Sequence, residues 1–435
     1  MLNVSDATKT AFKSDTSFKT VRINFPGLNL NIGNDRIFKE SLEVKESLMD
    51  KDSIEFVGCI SSSMSVKISG ISETLVGQQV KVYIQADNTD EICLFNGYVD
   101  SAKLEANKIH KKIIAYDALY QKGNIDVASW YNSLSFPISI KSFRNSLFNY
   151  IGLTQVAASL PADEITFDKL YEPKQLQALA LIKQICQVNG VFGIVNRDGQ
   201  FAYRILTTGS TPVYPANTLF PSSQLFPARK GDQDVSTSLT YYRKNEYEEF
   251  VVHPVDLLSI RESEDDYGIN EGTGGNRYII QGNIFTYNLG EPKVRQIARA
   301  IYPNVCELSY IPFKATNNGL PYLECGDGLS YETSQGYKSF TVLSRTFKGI
   351  QAQKDEFSAR GVEYQNIFIS DLKTKLDLIK KESDNQAREI SALDERVTAL
   401  EEGGTGFQVQ SVSQVPTNPQ DNTIYLIQGE IVTIQ

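Results

Sequence analysis

The stretch Ile369–Leu400, ISDLKTKLDLIKKESDNQAREISALDERVTAL, carries mostly apolar or small side chains at alternating spacings of three and four residues. These positions are Ile369, Leu372, Leu376, Ile379, Ser383, Gln386, Ile390, Leu393, Val397 and Leu400. No glycine or proline interrupts them. A strict 3.5-residue period keeps such a seam on one face only when helices wind around each other. The pattern therefore predicts a coiled coil, and hence an oligomer.

The seam alone leaves the number of helices open. Leu376 followed by Ile379 favours three or four strands, whereas Ile390 with Leu393 favours two. The last turn is more specific, because Arg396 and Glu401 flank Val397 and Leu400 in a spacing that resembles a trimer-specifying pattern. In a three-stranded coil the arginine stem packs over the core edge and its guanidinium meets the neighbour's glutamate. The alternative is an exposed ion pair worth about 0–1 kcal/mol. We predict a parallel trimer.

The composition is that of a globular protein. The 435 residues suffice for several domains, 41% of them are hydrophobic, and the net charge is −9. The acidic balance argues against nucleic acid as a specific partner. The sequence has no run of 18 apolar residues, so no membrane span is predicted. The first residues lack the pattern of a signal peptide. Five scattered cysteines are predicted to be buried free thiols.

The patterns along the chain predict an α+β protein that is mainly β. Short alternating runs predict two small β-barrels flanking an α+β module with amphipathic helices, followed by the coil and a β hairpin. Residues 237–252 are predicted to form a hairpin that turns near Lys244-Asn245. The predicted domains are a first barrel at 1–120, the α+β module at 121–230, a second barrel at 231–367, the coil at 368–402, and a glycine linker with the hairpin at 403–435.

A weak internal repeat links the two β regions. Gly77-Gln78-Gln79 precedes one pair of strands, and Gly326-Asp327-Gly328 precedes another. The similarity predicts a structural duplication.

Residues with catalytic or metal-binding chemistry are sparse. The two histidines, His110 and His253, have no partners at zinc-site spacing, and no phosphate-loop, dinucleotide or hydrolase motif predicts a cofactor or a nucleophile. One acidic loop is a candidate cation site; its residues are Glu262, Glu264, Asp265 and Asp266. Its spacing matches no EF-hand, and a solvated loop is the favoured interpretation.

Several segments, in order, resemble a known family. They are Phe95–Ser101 with Ile114–Tyr120, Ile185–Phe192 with Arg197-Asp198-Gly199, Gly319–Asp327 with Phe347–Asp355, and Ile424–Glu430. This order resembles the hub proteins of phage tails and related injection systems. The resemblance implies two tube-type barrels per chain and a homotrimer. It also implies partners: a ring of tail tube or distal tail protein, a tape-measure protein, and a distal spike, fibre or lytic subunit.

The resemblance implies a structural, non-enzymatic protein at the tip of the virion tail, assembled in the host cytoplasm. Six barrels in a trimer would adapt a sixfold tube to a threefold tip. Members of the family often carry a cell-wall hydrolase after the region matched here, and this chain ends after the hairpin, so any lytic activity is expected in another subunit. The alternative is a trimeric receptor-binding adhesin whose barrels bind host glycans. A hydrolase is the least favoured class.

Overall fold

A computed structural model describes residues 2–14, 16–38, 40–49, 58–106, 109–206, 242–262, 266–333, 336–364, 408–412, 423–427 and 430–432. The chain divides into two compact units, Met1–Leu376 and Asp377–Gln435. The predicted coil, 368–402, lies outside the described residues. The predicted domain boundaries remain predictions.

Six α-helices are described. They are α1 Asp6–Lys13, α2 Ala118–Gly123, α3 Ala128–Ser133, α4 Ile140–Ile151, α5 Ala178–Asn189 and α6 Glu291–Cys306, with one 3-10 turn at Pro26–Leu28.

The described strands are more numerous. They are β1 Lys19–Phe25, β2 Leu30–Ile32, β3 Glu43–Ser47, β4 Ser63–Ser69, β5 Gln79–Ala86, β6 Ile92–Leu104, β7 His110–Tyr116, β8 Ile138–Ser139, β9 Thr166–Phe167, β10 Phe192–Val195, β11 Phe201–Arg204, β12 Tyr242–Tyr247, β13 Leu257–Arg261, β14 Ile269–Gly272, β15 Arg277–Gln281, β16 Phe313–Asn318, β17 Gly328–Thr333, β18 Gly336–Thr341, β19 Ser344–Lys348, β20 Lys354–Ala359, β21 Gln408–Val412, β22 Thr423–Ile427 and β23 Glu430–Val432.

The main sheet of the first unit contains eleven strands. Their order is β12-β16-β20-β19-β3-β4-β7-β6-β5-β1-β2. Period-two burial explains why these segments form strands; in β5, for example, Val80, Val82 and Ile84 are buried while the residues between them are half-exposed. The mainly β architecture predicted from the sequence is thus confirmed.

The prediction of two separate small barrels is corrected by this sheet, in which no closed barrel is seen among the described strands. The strands of both predicted barrels are joined because β3 pairs with β4 on one side and with β19 on the other. The first half does curl, since an isolated bridge joins Ile37, after β2, to Ile68 in β4. The predicted turn at Lys244-Asn245 is also wrong, because both residues lie inside β12, which pairs with β16.

The first unit contains the same strand arrangement twice, as the sequence predicts; the first copy lies within the main sheet, and in the second copy β17 and β18 form a separate two-stranded sheet. In the first repeat, residues 63–116, β4 pairs with β7, β7 with β6 and β6 with β5. In the second repeat, residues 313–359, β16 pairs with β20, β20 with β19 and β18 with β17. A bulge inside β6, between Val99 and Ser101, corresponds to the break between β18 and β19.

One turn, present in both repeats, shows residue by residue that the repeats are equivalent. Gln78 N–H donates to Leu75 O at 3.0 Å, and Asp327 N–H donates to Glu324 O at 3.2 Å. The third residue of each turn is a glycine with positive φ, +79° at Gly77 and +97° at Gly326, as a type II turn requires.

Two further hydrogen bonds, which occur in both repeats, anchor each turn to a buried valine. Gly77 N–H donates to Val99 O and Gly326 N–H to Val342 O, while each valine N–H donates back to the residue after the glycine. The predicted duplication is confirmed. Val99 is equivalent to Val342, and Ser101 to Ser344.

The helices form a second layer with an aromatic core. Phe143 of α4 meets Phe167 and Phe285 with ring centroids 5.4 and 5.3 Å apart. α4 ends at Gly152, which lies in the left-handed region at φ 65°, a conformation that glycine adopts without strain. α6 packs on α5 and on the small sheet β14-β13-β15. None of the helices in the described ranges combines the length and apolarity needed to cross a bilayer.

The second unit contains a small sheet. β22 and β23 form the predicted antiparallel hairpin, and β21 adds a parallel strand beside β22 that the sequence did not indicate.

The repeated turn gives the first testable prediction. Gly77→Ala should lower the free energy of unfolding by about 1–2 kcal/mol, because a Cβ at φ +79° is strained even though the space around it is open. Gly275→Ala is the matched control, with equally open space and no positive φ. Denaturant unfolding measures both, and equal effects would contradict the turn assignment.

Candidate functional site

A buried ionic network lies where the two repeats join. Arg345 of β19 donates to both carboxylate oxygens of Asp355 in β20, at 2.9 and 3.0 Å, in bidentate geometry. Its Nη1 donates to Glu46 Oε2 of β3 at 3.4 Å. The side chains of Arg345 and Asp355 are 1% and 0% exposed. This network therefore links three adjacent strands, including the shared strand β3.

The β10–β11 hairpin adds two more guanidinium groups. Arg197, in the turn of the hairpin, donates to Leu323 O at 2.7 Å and lies 3.7 Å from Glu46 Oε1. Arg204 in β11 lies 3.3 Å from Glu324 Oε2 and donates to Cys325 O. Both arginines thus bind the turn of the second repeat, so the network also fastens the helical layer's hairpin to the sheet.

Electrostatics keeps Glu324 charged. Burial alone would raise the pKa of Glu324, but the guanidiniums of Arg204 and Arg197 outweigh it and lower the pKa to about 2. Burial likewise opposes the charge on Arg345, yet Asp355 and Glu46 hold its pKa above the usual value. Three guanidiniums therefore face three carboxylates in this network.

This geometry leaves little room for a substrate. The space beside the network, lined by Glu46, Arg197 and Glu324, is about 20 Å³ and holds about one water molecule. A general acid needs a pKa near the working pH, and Glu324 has a pKa far below it. The network is a joint that sets how the first repeat, the second repeat and the hairpin meet.

A second buried ion pair holds the α+β module together. Arg144 of α4 donates to Asp163 at 2.9 and 3.1 Å and to Gln155 Oε1 at 2.7 Å. Its guanidinium also lies 5.4 Å from the ring centre of Tyr203 in β11. The module therefore contacts, through Arg144 and Tyr203, the same hairpin that supplies Arg197 and Arg204.

The residues predicted as sites have different outcomes. The trimerisation residues, Ile369 to Leu400 with Arg396 and Glu401, lie outside the described residues, as do Glu264 and Asp265 of the acidic loop. Glu262 accepts from Asn288 N–H at 2.8 Å, and Asp266 accepts from the N–H groups of Glu262 and Gly268. These two carboxylates shape a turn.

Other chemistry-bearing residues are accounted for structurally. Within the described ranges no group of three or more histidine, cysteine or acidic residues is placed to hold a metal ion. All five cysteines are free; Cys59, Cys186 and Cys325 are buried, while Cys93 and Cys306 are half-exposed. His253 stacks on Tyr364 at 4.5 Å.

The sequence patterns described above do not predict the ionic network. Its signal is nevertheless present, since Arg204 ends the apolar run Phe201-Ala202-Tyr203, where a solvated charge is not expected.

Comparison with known proteins gives similarity at the level of structure. No protein-family model matches the sequence, and no curated protein matches it. The 43 kDa tail protein of prophage MuSo2 from Shewanella oneidensis is 10% identical, with a TM-score of 0.48 over 78% of this chain and 97% of that one. A tail protein from Neisseria meningitidis MC58 is 10% identical, with a TM-score of 0.47 over 81% and 100%. Prophage tail protein gp18 from Listeria monocytogenes is 11% identical, with a TM-score of 0.45 over 79% and 95%.

All three are tail proteins, two of them from prophages. At such identities no residue role is carried over to this chain.

The ionic network predicts an asymmetry between single and double substitutions. Arg345→Met should cost about 3–5 kcal/mol of unfolding free energy, because it leaves Asp355 buried and unpaired. Arg345→Met with Asp355→Leu should cost less than the sum of the two single changes. Arg295→Met is the control, since its pair with Glu291 is exposed and worth about 0–1 kcal/mol. Additive effects in denaturant unfolding would refute the coupling.

The lowered pKa of Glu324 predicts how the free energy of unfolding depends on pH in the acid range. Its pKa is lowered from 4.5 to about 2, so its contribution is complete above pH 4.5 and is lost as the pH falls towards 2. The loss amounts to about 3 kcal/mol. In Glu324→Gln this loss is absent, so the unfolding free energies of wild type and variant should converge between pH 5 and pH 2.5. Parallel curves would show that Glu324 is not the group responsible.

Proposed function

We propose that this protein is a structural trimeric hub at the distal end of a phage tail tube. In this role it adapts a sixfold tube to a threefold tip and takes part in tail assembly and genome or effector delivery. The observation that carries the proposal is the repeat: each chain builds the same four-strand arrangement twice, with the same turn and the same ladder. A trimer of such chains presents six similar units.

The heptad pattern at Ile369–Leu400 supports the presence of three chains in the assembly. A coil of three helices sets the count of chains, and two repeats per chain double it. The ionic network supports the same role, because a hub must hold its repeats at one angle against each other. A glycan-binding adhesin has no need of a duplicated sheet.

The proposed partners follow from the position. One face of the trimer would meet the ring of tail tube or distal tail protein, and the coil would carry a spike, fibre or lytic subunit. A tape-measure protein would end at the hub. The protein would reside at the virion tail tip after assembly in the host cytoplasm. Lysis and specific nucleic-acid binding are assigned to other components.

Mass and shape in solution test the proposal. The full chain should show three chain masses by light scattering, and class averages from negative-stain electron microscopy should show six lobes around one axis. A chain ending at Asn366 tests the coil: loss of the trimer assigns assembly to the coil, and survival assigns it to the sheets. A full-length monomer or dimer, or a trimer with three lobes, would overturn the proposal.

A further inference from the structure

The C-terminal half of β6 is an edge in the described part of the chain. Its pairing with β5 ends at Tyr98 opposite Gln79, so Ser101–Leu104 has β7 on one side and no described strand on the other. The equivalent residues of the second repeat, Ser344–Lys348, have β20 on one side and β3 on the other. The first repeat therefore has an open edge where the second repeat has a joint.

A strand equivalent to β3 lies at the other end of the sheet. Glu43 of β3 pairs with Ser65 of β4, and Glu246 of β12 pairs with Lys314 of β16. Ser65 and Lys314 are equivalent positions. The residue of β7 that pairs with Ser65 also pairs with Ser101, and the residue of β20 that pairs with Lys314 also pairs with Ser344. Residues 246–250, which comprise the last two residues of β12 and the three residues that follow it, thus correspond to 43–47. In the described sheet β12 is terminal, with β16 as its neighbour.

We propose that these two edges pair with each other between copies of the chain. Residues 246–250 of one copy lie antiparallel to residues 101–105 of the next, in the register that β3 adopts on β19. This register places Tyr247 opposite Leu104 and Glu248 opposite Lys103. The inference rests on the proposed trimer and names the surface through which its sheets meet.

An exposed apolar side chain marks the open edge. Phe347 of β19 is 1% exposed and faces Val44 of β3, which is 2% exposed. The equivalent of Phe347 in the first repeat is Leu104, which is 53% exposed. Tyr247, the equivalent of Val44, would cover Leu104 in the proposed ladder. A leucine on an edge strand is otherwise a liability for aggregation, which a partner strand removes.

The charges along the ladder agree with the register. Lys103 and Glu248 are both exposed and stand opposite each other, a favourable cross-strand pair. Glu105 would face Glu246, yet each already has its own cation: Lys67 Nζ is 2.7 Å from Glu105, and Lys244 pairs with Glu246. Neither glutamate needs to lose its partner for the strands to meet.

The proposed contact is heterologous, because different strands meet. Such contacts generate a ring when the rotation closes. In a ring of three chains, the in-chain joints between β3 and β19 alternate with joints between β12 and β6 of neighbouring chains. All six repeats then see one kind of contact on each side.

Cysteine cross-linking of the full chain tests the pairing. Lys103→Cys and Glu248→Cys are exposed changes, made singly and together, and treated with a short bifunctional thiol reagent beside wild type. The double variant should give covalent species of two and three chain lengths. Each single variant should stay monomeric on a denaturing gel, because position 103 meets 248 and not a second 103. Lys103→Cys combined with Glu164→Cys is the matched control pair.

The outcomes separate this inference from the proposed function. A trimer by light scattering whose double variant does not cross-link overturns the edge pairing and leaves the hub intact. Absence of a trimer overturns both. Cross-linking in Lys103→Cys alone would contradict the heterologous register. Cross-linking of the double variant that disappears on adding Leu104→Asp would confirm that the covered leucine is part of the contact.

Discussion

The fold depends on the desolvated guanidinium of Arg345. A buried charge is tolerated only when it is paired and its donors are satisfied. Arg345 meets both conditions by drawing Asp355 and Glu46 towards it and by donating to the carbonyls of Leu320 and Leu323. Those partners come from two strands and from the turn of the second repeat. The position of one side chain thereby determines the geometry of the joint.

The helical layer is bound into the same arrangement. Arg197 and Arg204 reach the turn of the second repeat from a hairpin whose own support comes from Arg144 and Asp163. The ionic contacts form a chain from α4, through β11, to β19. These contacts join the α+β module to the turn of the second repeat and, through Arg197 and Glu46, to the shared strand β3.

Local features of the fold were predictable from the sequence, and distant pairings were not. The helix ending at Gly152, the hairpin after Gly190 and the period-two strands depend on near neighbours, so their patterns are sufficient. β3 was missed because Glu43–Ser47 is polar and its partner strand lies far along the chain; Arg345, which pairs with Glu46, comes 299 residues later. β12 was mistaken for a turn because Lys244-Asn245 has turn chemistry, and pairing with β16 overrode it. Arg204 in its apolar run indicates a buried charge, but the partners of that charge could not be predicted, since the members of the ionic network come from five separate segments.

The shared strand also has a consequence for synthesis. The first repeat is complete when Tyr116 has left the ribosome, but β3 at its edge waits for β19, more than two hundred residues later. Contacts of such high sequence separation form slowly, and an unpaired strand edge invites the wrong partner meanwhile. Lys45 and Glu46 on that strand keep the waiting edge charged. Glu46, which later completes the ionic joint, thus also disfavours premature association of nascent chains through this edge.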